Sequence, residues 1–415
     1  MLIKKKVLLL LVCIASGVLV QAQYTLNSPY SKYGFGDLNT SGLSFNRGLG
    51  GTGIAFRETN TINYLNPASY TSQDSMSFIW DFGMIGNSKT SSTTSSSMSM
   101  NTMNFDHLTF SFPVTRKYFV SVGVLPYSKV GYKLFEEAYA SDSSKYISQY
   151  EGSGNLNQLY FGHAVSLLKK QMSIGLNVQY LFGSIEHKNT VTFPIDVLGS
   201  ALAQNAKLSG WNFVLGIQGK IKASENLQII LGATYQTPTS FSGDFNKTVY
   251  NNNGKSIYAD SLPADYKIPA RLGLGMSVQI KDKILAGIDY TMQDWSKARL
   301  MSSYGNTLKA SNRLGGGIQV IPNKDSYVNY FSRVRYRVGA YYESSYIKIN
   351  NNDINDYGLT VGLGLPFKRT NTMFNMALEY GVRGTTSNDL IRENYYRITM
   401  SVSLYDFWFI KRKYQ

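Results

Sequence analysis

Apolar and polar residues alternate with a period of two through much of this chain. In residues 171–182 the even-numbered positions from Met172 to Phe182 are all apolar, while the odd-numbered positions from Gln171 to Gln179 are polar or glycine. Such alternation predicts a β-strand with one apolar and one polar face. Several runs of this kind reach about ten residues, which exceeds the about 5–6 residues of a typical soluble strand and matches a tilted membrane crossing.

The alternation predicts 14 strands, separated by connections that alternate between short and long. The strands are expected near residues 75–86, 100–112, 117–125, 156–168, 171–186, 209–222, 226–237, 266–281, 283–293, 308–321, 334–347, 356–367, 372–383 and 394–409. Short connections and long loops at opposite ends, with an even strand number, are typical of outer-membrane barrels that leave both termini in the periplasm. The predicted fold class is therefore all-β membrane, a 14-stranded antiparallel outer-membrane β-barrel.

The first residues have the pattern of a secretory signal peptide. Lys4, Lys5 and Lys6 precede an apolar run that ends at Val20, and Gln21-Ala22 complete a small-residue cleavage site. We therefore expect a signal peptide over residues 1–22, a plug over 23–73 and the barrel over 74–415. The only cysteine, Cys13, falls within the signal, so the mature chain is expected to have no disulfide and no thiol chemistry.

The stretch from Gly48 to Tyr70 lacks clean strand alternation and is rich in glycine. Glycine allows positive φ and close backbone approach, and proline blocks helix continuation. We expect this stretch to form a plug inside the barrel, with plug or gate positions at Gly50, Gly51, Gly53, Asn66, Pro67 and Ala68.

Composition and charge fit this interpretation. The chain has 31 Tyr, 37 Gly and only 16% charged residues, which favours aromatic girdles around a barrel over soluble domains. The formal charge of +15 falls to +12 without the three signal lysines. Nucleic acid is not expected as a partner of an exported chain. Many basic residues fall in the short connections, where they either form ordinary solvated turns or contact outer-membrane lipid head groups.

Five charged residues lie on the polar faces of predicted strands, opposite the apolar faces. Because charges facing lipid would cost several kcal/mol, on the order of 2–4, we expect them to face the lumen. They either form ion pairs that hold the plug or bind the head group of a ligand, and they are Arg271, Asp289, Arg335, Arg337 and Glu379.

No motif predicts an enzyme, a metal or a cofactor. Gly48 to Gly53 satisfies the G-x-G-x-x-G pattern, but no strand precedes it in a βαβ unit. His107, His163 and His187 are isolated from one another. Residues 88–103 and 350–356 are expected to be solvated loops, and the spacing of Ile195, Leu198, Leu202 and Ala206 predicts a short amphipathic helix.

A signal peptide, a plug with Asn66-Pro67-Ala68, and 14 alternating strands together resemble the FadL type of outer-membrane transport protein. The resemblance covers nearly the whole mature chain and implies an N-terminal hatch in the lumen and uptake of long-chain fatty acids or other small hydrophobic molecules. Members have a kink in the wall, for which Leu125-Pro126-Tyr127 at the end of the third strand is a candidate. A PorV-like branch of the same barrel type implies the alternative, a scaffold or shuttle with envelope protein partners.

Overall fold

The computed structural model describes residues 28–139, 145–193, 199–251, 253–301, 308–326, 328–367 and 370–407. Within these ranges there is one short α-helix, α1 (Ser44–Arg47). The 3₁₀ turns in the same ranges are Pro29–Lys32, Pro67–Ser72, Leu168–Lys170, Trp295–Lys297, Phe331–Arg333 and Ser387–Asp389. The strands are β1 (Asp37–Leu38), β2 (Ser77–Ser92), β3 (Ser97–Pro113), β4 (Tyr118–Tyr139), β5 (Lys145–Leu167), β6 (Met172–Thr192), β7 (Ser200–Ser224), β8 (Leu227–Gln236), β9 (Thr239–Asn251), β10 (Ser256–Pro263), β11 (Tyr266–Ile268), β12 (Arg271–Ile280), β13 (Ile284–Asp294), β14 (Ala310–Val320), β15 (Arg335–Ile349), β16 (Asn352–Pro366), β17 (Met373–Arg383) and β18 (Arg392–Phe407).

The strands from β2 to β18 form a closed antiparallel barrel of 14 staves, where a stave is one strand position around the wall. Two staves are interrupted: β8 and β9 lie in line beside β7, and β10, β11 and β12 lie in line on their other side. The last strand closes the sheet, because β18 pairs with β2 from Arg392↔Ser92 to Phe407↔Ser77. The predicted fold class, an antiparallel 14-stranded membrane barrel, is confirmed.

The two faces of the wall follow the sequence alternation. On β7, Phe213, Leu215 and Ile217 are exposed on the outside, whereas Asn212 and Gln218 are fully buried on the inside. Outward apolar and inward polar side chains are the arrangement of a barrel whose surface faces lipid. Among the described residues, no helix has the length and apolarity to cross a membrane.

Several predicted loops are strands instead. β4 continues to Tyr139 and β5 begins at Lys145, so the third and fourth staves form a tall hairpin where residues 126–155 were expected to be a loop. Residues 88–103 belong to the β2–β3 hairpin, and β16 begins at Asn352. The strands continue because neighbouring strands satisfy their backbone groups, and inward residues such as Val130, Tyr132 and Ile354 are buried there in a hydrophobic cluster.

The predicted amphipathic helix is also wrong. Leu202 and Ala206 lie in β7, where they pair with Val249 and Phe245 of β9. Ile195 and Leu198 lie outside the described residues, as does the predicted signal peptide.

An arginine scan along one face of β7 tests the position of the membrane. Leu215 and Ile221 are 48% and 53% exposed on the outward face, and Leu215 lies between Trp211 and Ile221. Leu215→Arg should destabilise the barrel by about 2–4 kcal/mol, whereas Ile221→Arg near the short-turn end should cost about 0–1 kcal/mol. Urea unfolding in lipid vesicles measures both, and equal losses would contradict this placement of the bilayer.

Candidate functional site

The wall has a side opening between β3 and β4. The ladder between these strands runs only from Leu108↔Val124 to Pro113↔Phe119, although β3 continues to Ser97 and β4 to Tyr139. Past Pro126 the β4–β5 register shifts by one residue, which marks a bulge at Tyr127. The strand does not end at Leu125-Pro126-Tyr127, as the sequence suggested, but it leaves its neighbour there.

The N-terminal segment, residues 28–73, takes the place of β3 along the upper part of β4. Here the upper part is the half of the strand beyond Pro126, toward the long-loop end of the barrel. Asp37 and Leu38 of β1 pair with Lys129 and Ser128, and the backbone N–H of Ser28 donates to the carbonyl of Gly131 at 3.0 Å. The upper edge of β4 is therefore paired by the segment, while the upper edge of β3 has no ladder partner on this side among the described residues.

A chain of buried polar groups lies where the opening begins. Arg47 of α1 forms an ion pair with Asp106 at 2.6 Å, and each side chain is only 2% exposed. The other oxygen of Asp106 contacts His107 Nδ1 at 2.7 Å, and His107 Nε2 lies 3.2 Å from Asp81. Asp106 is the bulged residue of β3, because Gly83 pairs with His107 and Met84 pairs with Phe105. The network fastens α1 to the wall at the opening.

Lys129 is a cation without a partner in the opening. It lines a cavity of about 90 Å³ together with Asp37, Arg47, Asp106 and Arg397. The acids there are engaged elsewhere, Asp106 with Arg47 and Asp37 with Arg383 at 2.6 Å. Within the described part of the chain, Lys129 Nζ forms no hydrogen bond and no ion pair. The opening therefore has one uncompensated positive charge.

The predicted plug glycines lie inside the barrel at different contacts. Gly50 has φ +69° and approaches the wall so closely that a Cβ would lie 2.5 Å from the carbonyl oxygen of Ala340. Gly51 faces the Arg313 guanidinium and Ser41, while a Cβ on Gly53 would lie 2.4 Å from Asn46 of the segment itself. Only Gly50 has the close backbone contact with the wall that the sequence suggested for all three.

Asn66, Pro67 and Ala68 begin the 3₁₀ turn that leads to the barrel. Asn66 Nδ2 donates to the carbonyls of Ile54 at 2.7 Å and Ile217 at 3.2 Å, and its Oδ1 accepts from the Ala68 N–H. Pro67 occupies the first position of the turn, and Ala68 is fully buried. Asn66 thus joins two parts of the segment to a barrel strand.

Three of the five predicted lumenal charges contact the N-terminal segment. Asp289 Oδ2 accepts from the N–H groups of Gly53 and Ile54 at 2.6 and 2.8 Å. Arg335 forms an ion pair with Glu58 at 2.6 Å, and the Arg337 guanidinium lies 4.8 Å from the centre of the Phe45 ring.

The other two charges do not hold the segment. Glu379 forms an ion pair with Arg397 of the wall at 3.0 Å. Arg271 lines a cavity of about 70 Å³ near Asp289 and Arg313, and no hydrogen bond or ion pair of its side chain is found within the described residues.

The glycines of the wall were missed by sequence analysis, although they determine where the segment can lie. A Cβ on Gly175, Gly216, Gly232 or Gly339 would lie between 2.1 and 2.4 Å from atoms of the segment. These glycines occupy inward positions of different strands. The sequence signal that could have identified these glycines is their position on the polar, inward-facing side of several predicted strands.

A hydrophobic cluster closes the long-loop end of the lumen. Tyr30 and Phe35 of the segment pack with Phe241, Tyr266 and Trp295 from the wall and its loops. Trp295 also lies 4.7 Å from Tyr346, centroid to centroid. The cluster covers the segment from the side opposite the short turns.

The cavities beside Arg313 and in the side opening are small. Those on either side of Arg313 measure about 70 Å³ each, and the one in the side opening about 90 Å³. An apolar cavity that binds benzene measures about 150 Å³. Among the described residues, no group of three or more His, Cys, Asp or Glu could hold a metal ion.

Solved structures that resemble this one include a toluene transporter, a monoaromatic hydrocarbon channel and a FadL homologue. The toluene transporter TbuX of Ralstonia pickettii matches with a TM-score of 0.61 and 16% identity over 88% of this chain and 98% of that one. The monoaromatic hydrocarbon channel CymD gives 0.59 and 15% over 91% and 100%. A FadL homologue of Pseudomonas aeruginosa gives 0.59 and 12% over 91% and 99%. The protein therefore has the fold of the FadL-type outer-membrane barrels.

A family model adds the particular group within this class. The model of the BamG family matches residues 2–415, and the chain belongs to that family. A search of curated proteins gives no match.

Hydrogen exchange tests how Asp289 holds the segment. Asp289→Ala should speed exchange of the Gly53 and Ile54 amides, because each loses its acceptor at a cost of about 1–3 kcal/mol. Asp289→Asn keeps an oxygen acceptor and is the control, with a smaller effect expected. Unchanged exchange at both amides in the alanine variant would contradict the assigned contact.

Proposed function

We propose that this protein binds a long-chain fatty acid, or another amphiphile with an acidic head group, at the side opening and passes it across the outer membrane. The observation that carries the proposal is the unpaired Lys129 in an opening of the barrel wall. In this proposal the long loops lie outside the cell and the short turns lie in the periplasm. A signal peptide is cleaved before Gln23.

The depth of Lys129 suits the head group of such a ligand. Lys129 pairs with Asn155 of β5, four residues beyond Leu159, which is 47% exposed on the apolar outer face. Lys129 therefore lies near the edge of the apolar band. A carboxylate can contact it there while the tail lies in the bilayer beside Met103, which is 69% exposed on β3.

The polar lining of the opening favours an acid over a plain hydrocarbon. Arg47, Lys89, Asp106 and Arg397 line the same cavity, and an aromatic hydrocarbon would strip water from them without replacing its hydrogen bonds. A carboxylate supplies the missing negative charge.

In this proposal the N-terminal segment is the plug, and it must move before a ligand can cross. The cavities beside Arg313 and in the side opening are smaller than a ligand-sized pocket of about 300 Å³ or more. The gate positions are Gly50, Gly51, Gly53, Asn66, Pro67 and Ala68, with Asp289, Arg335 and Arg337 as their wall contacts. The other two of the five lumenal charges have different roles. Glu379 orients Arg397 near the opening, and Arg271 attracts acidic ligands.

A second candidate function, a scaffold for envelope proteins, is favoured by the same packed lumen. A barrel filled by its own segment and covered by the Phe35 cluster offers surfaces to partners without a through passage. Membership of the BamG family also fits an envelope role with protein partners. In this role neither ligand binding nor movement of the plug is required.

Oleate binding to the purified barrel distinguishes the two. Lys129→Met should weaken oleate binding about tenfold, the effect of losing about 1.4 kcal/mol from one charge-assisted contact. Lys133→Met is the matched control, since Lys133 lies on the same strand, is 42% exposed and pairs with Glu151. Oleyl alcohol should bind wild type and Lys129→Met alike. Equal oleate binding by both variants would remove the proposed site and favour the scaffold.

Conductance tests the plug itself. A 14-stranded wall encloses a space wider than its side chains fill, so deletion of residues 28–73 should give a steadily open pore in planar bilayers. Asn66→Ala should give a flickering pore, because the segment loses its hydrogen bonds from Asn66 to the Ile54 and Ile217 carbonyls. Asn253→Ala, in an exposed turn, should stay silent like wild type. A deletion variant that assembles and remains silent would show that the segment is not the barrier.

A further inference from the structure

The short-turn end of the lumen contains a charged bowl that neither proposed role uses. It is a cavity of about 390 Å³, within the range of about 300–1,000 Å³ for ligand pockets. Its floor is the N-terminal segment from Arg57 to Asn60, and its sides are inward-facing wall residues and three short connections, with Lys283, Arg333 and Asn371 among the lining residues.

The bowl has more positive than negative charge. Among the described lining residues, the cations are Arg57, Lys283, Lys324, Arg333 and Arg335, and the acids are Glu58, Asp282 and Asp325. Two pairs are internally neutral, Arg335 with Glu58 at 2.6 Å and Lys324 with Asp282. Three cations and one acid are left, which is a net charge of two positive units.

The remaining cations differ in how they are held. Arg57 is fixed by hydrogen bonds to Ser173, Gln218 and Thr71 at 2.9, 3.2 and 2.7 Å. Burial lowers the pKa of Arg57 to about 10, so it stays charged at neutral pH. Within the described part of the chain, the one hydrogen bond of the Arg333 side chain is a 3.4 Å contact with the Phe367 carbonyl, and Lys283 is exposed. Both are available to a partner.

We propose that this bowl binds an acidic, extended segment of a periplasmic protein. A polypeptide fits better than a lipid surface because the bowl lies inside the ring of strands, where the lining residues Gln319 and Met373 face the lumen. Bilayer lipids contact only the outer face of that ring. Aspartate and glutamate side chains on a peptide can reach Lys283, Arg333 and Arg57 together.

Charges on the rim strengthen the attraction at a distance. Lys281, Lys170, Lys117 and Arg116 are exposed in short connections at the same end of the barrel. Exposed charges are screened beyond about 8–10 Å at physiological salt. The rim therefore raises the rate of encounter, while the charges of the bowl decide where the peptide is held.

The test is binding of a fluorescent glutamate-rich peptide to the full-length protein in neutral detergent, with the glutamine version of the same peptide as a negative probe. Lys283→Glu combined with Arg333→Glu should weaken glutamate-peptide binding by about tenfold or more. Arg116→Glu combined with Lys117→Glu makes the same change in net charge outside the bowl and should have a smaller effect. Heat-modifiable gel migration confirms that each variant is folded.

Three results would overturn the proposal. They are equal losses in the two double variants, equal binding of the glutamine peptide, and competition by phosphatidylglycerol vesicles that is lost in the bowl variant. The third result would assign the bowl to lipid head groups. Lys129→Met should bind the peptide like wild type, so the fatty-acid proposal and this one can fail separately.

Discussion

The ion pair between Arg47 and Asp106 connects the main features of the molecule. Arg47 belongs to α1 inside the lumen, while Asp106 is the bulged residue of β3 beside the point where β4 leaves its neighbour. Both charges are buried, and removal of one partner from such a pair costs about 3–5 kcal/mol. The same contact thus holds the N-terminal segment and shapes the opening, so movement of one is coupled to the other.

Filling a wide barrel with polypeptide requires that every buried backbone group finds a partner. This chain meets that need with side chains that point inward. Asp289 accepts two segment N–H groups, Gln218 donates to the Ile54 carbonyl, and Asn66 connects the segment to β7. Wall glycines such as Gly216 leave the room that these contacts require. The filled lumen is compatible with both a gated transporter and a scaffold.

The number of strands and the side of the wall that each side chain faces were predictable from the sequence. The reason is that a period of two is a local signal, as residues 171–182 illustrate. The predicted helix failed because Leu198, Leu202 and Ala206 are four residues apart, a spacing that also fits one face of a strand. Leu125-Pro126-Tyr127 marked the place of the side opening, but its extent could not be predicted, since a missing ladder depends on two strands and on the segment that replaces one of them. Arg47 and Asp106 are 59 residues apart, and nothing local marks them as a pair.

The central claim is that an acidic amphiphile binds between β3 and β4 with its head at Lys129. Crystals of the complex with a fatty acid brominated along its tail would test this most directly, because anomalous scattering locates bromine without reference to the protein. We predict bromine peaks beside Met103 and a carboxylate within hydrogen-bond distance of Lys129 Nζ. Bromine bound only elsewhere on the outer face, with Lys129 still unpaired, would contradict the account.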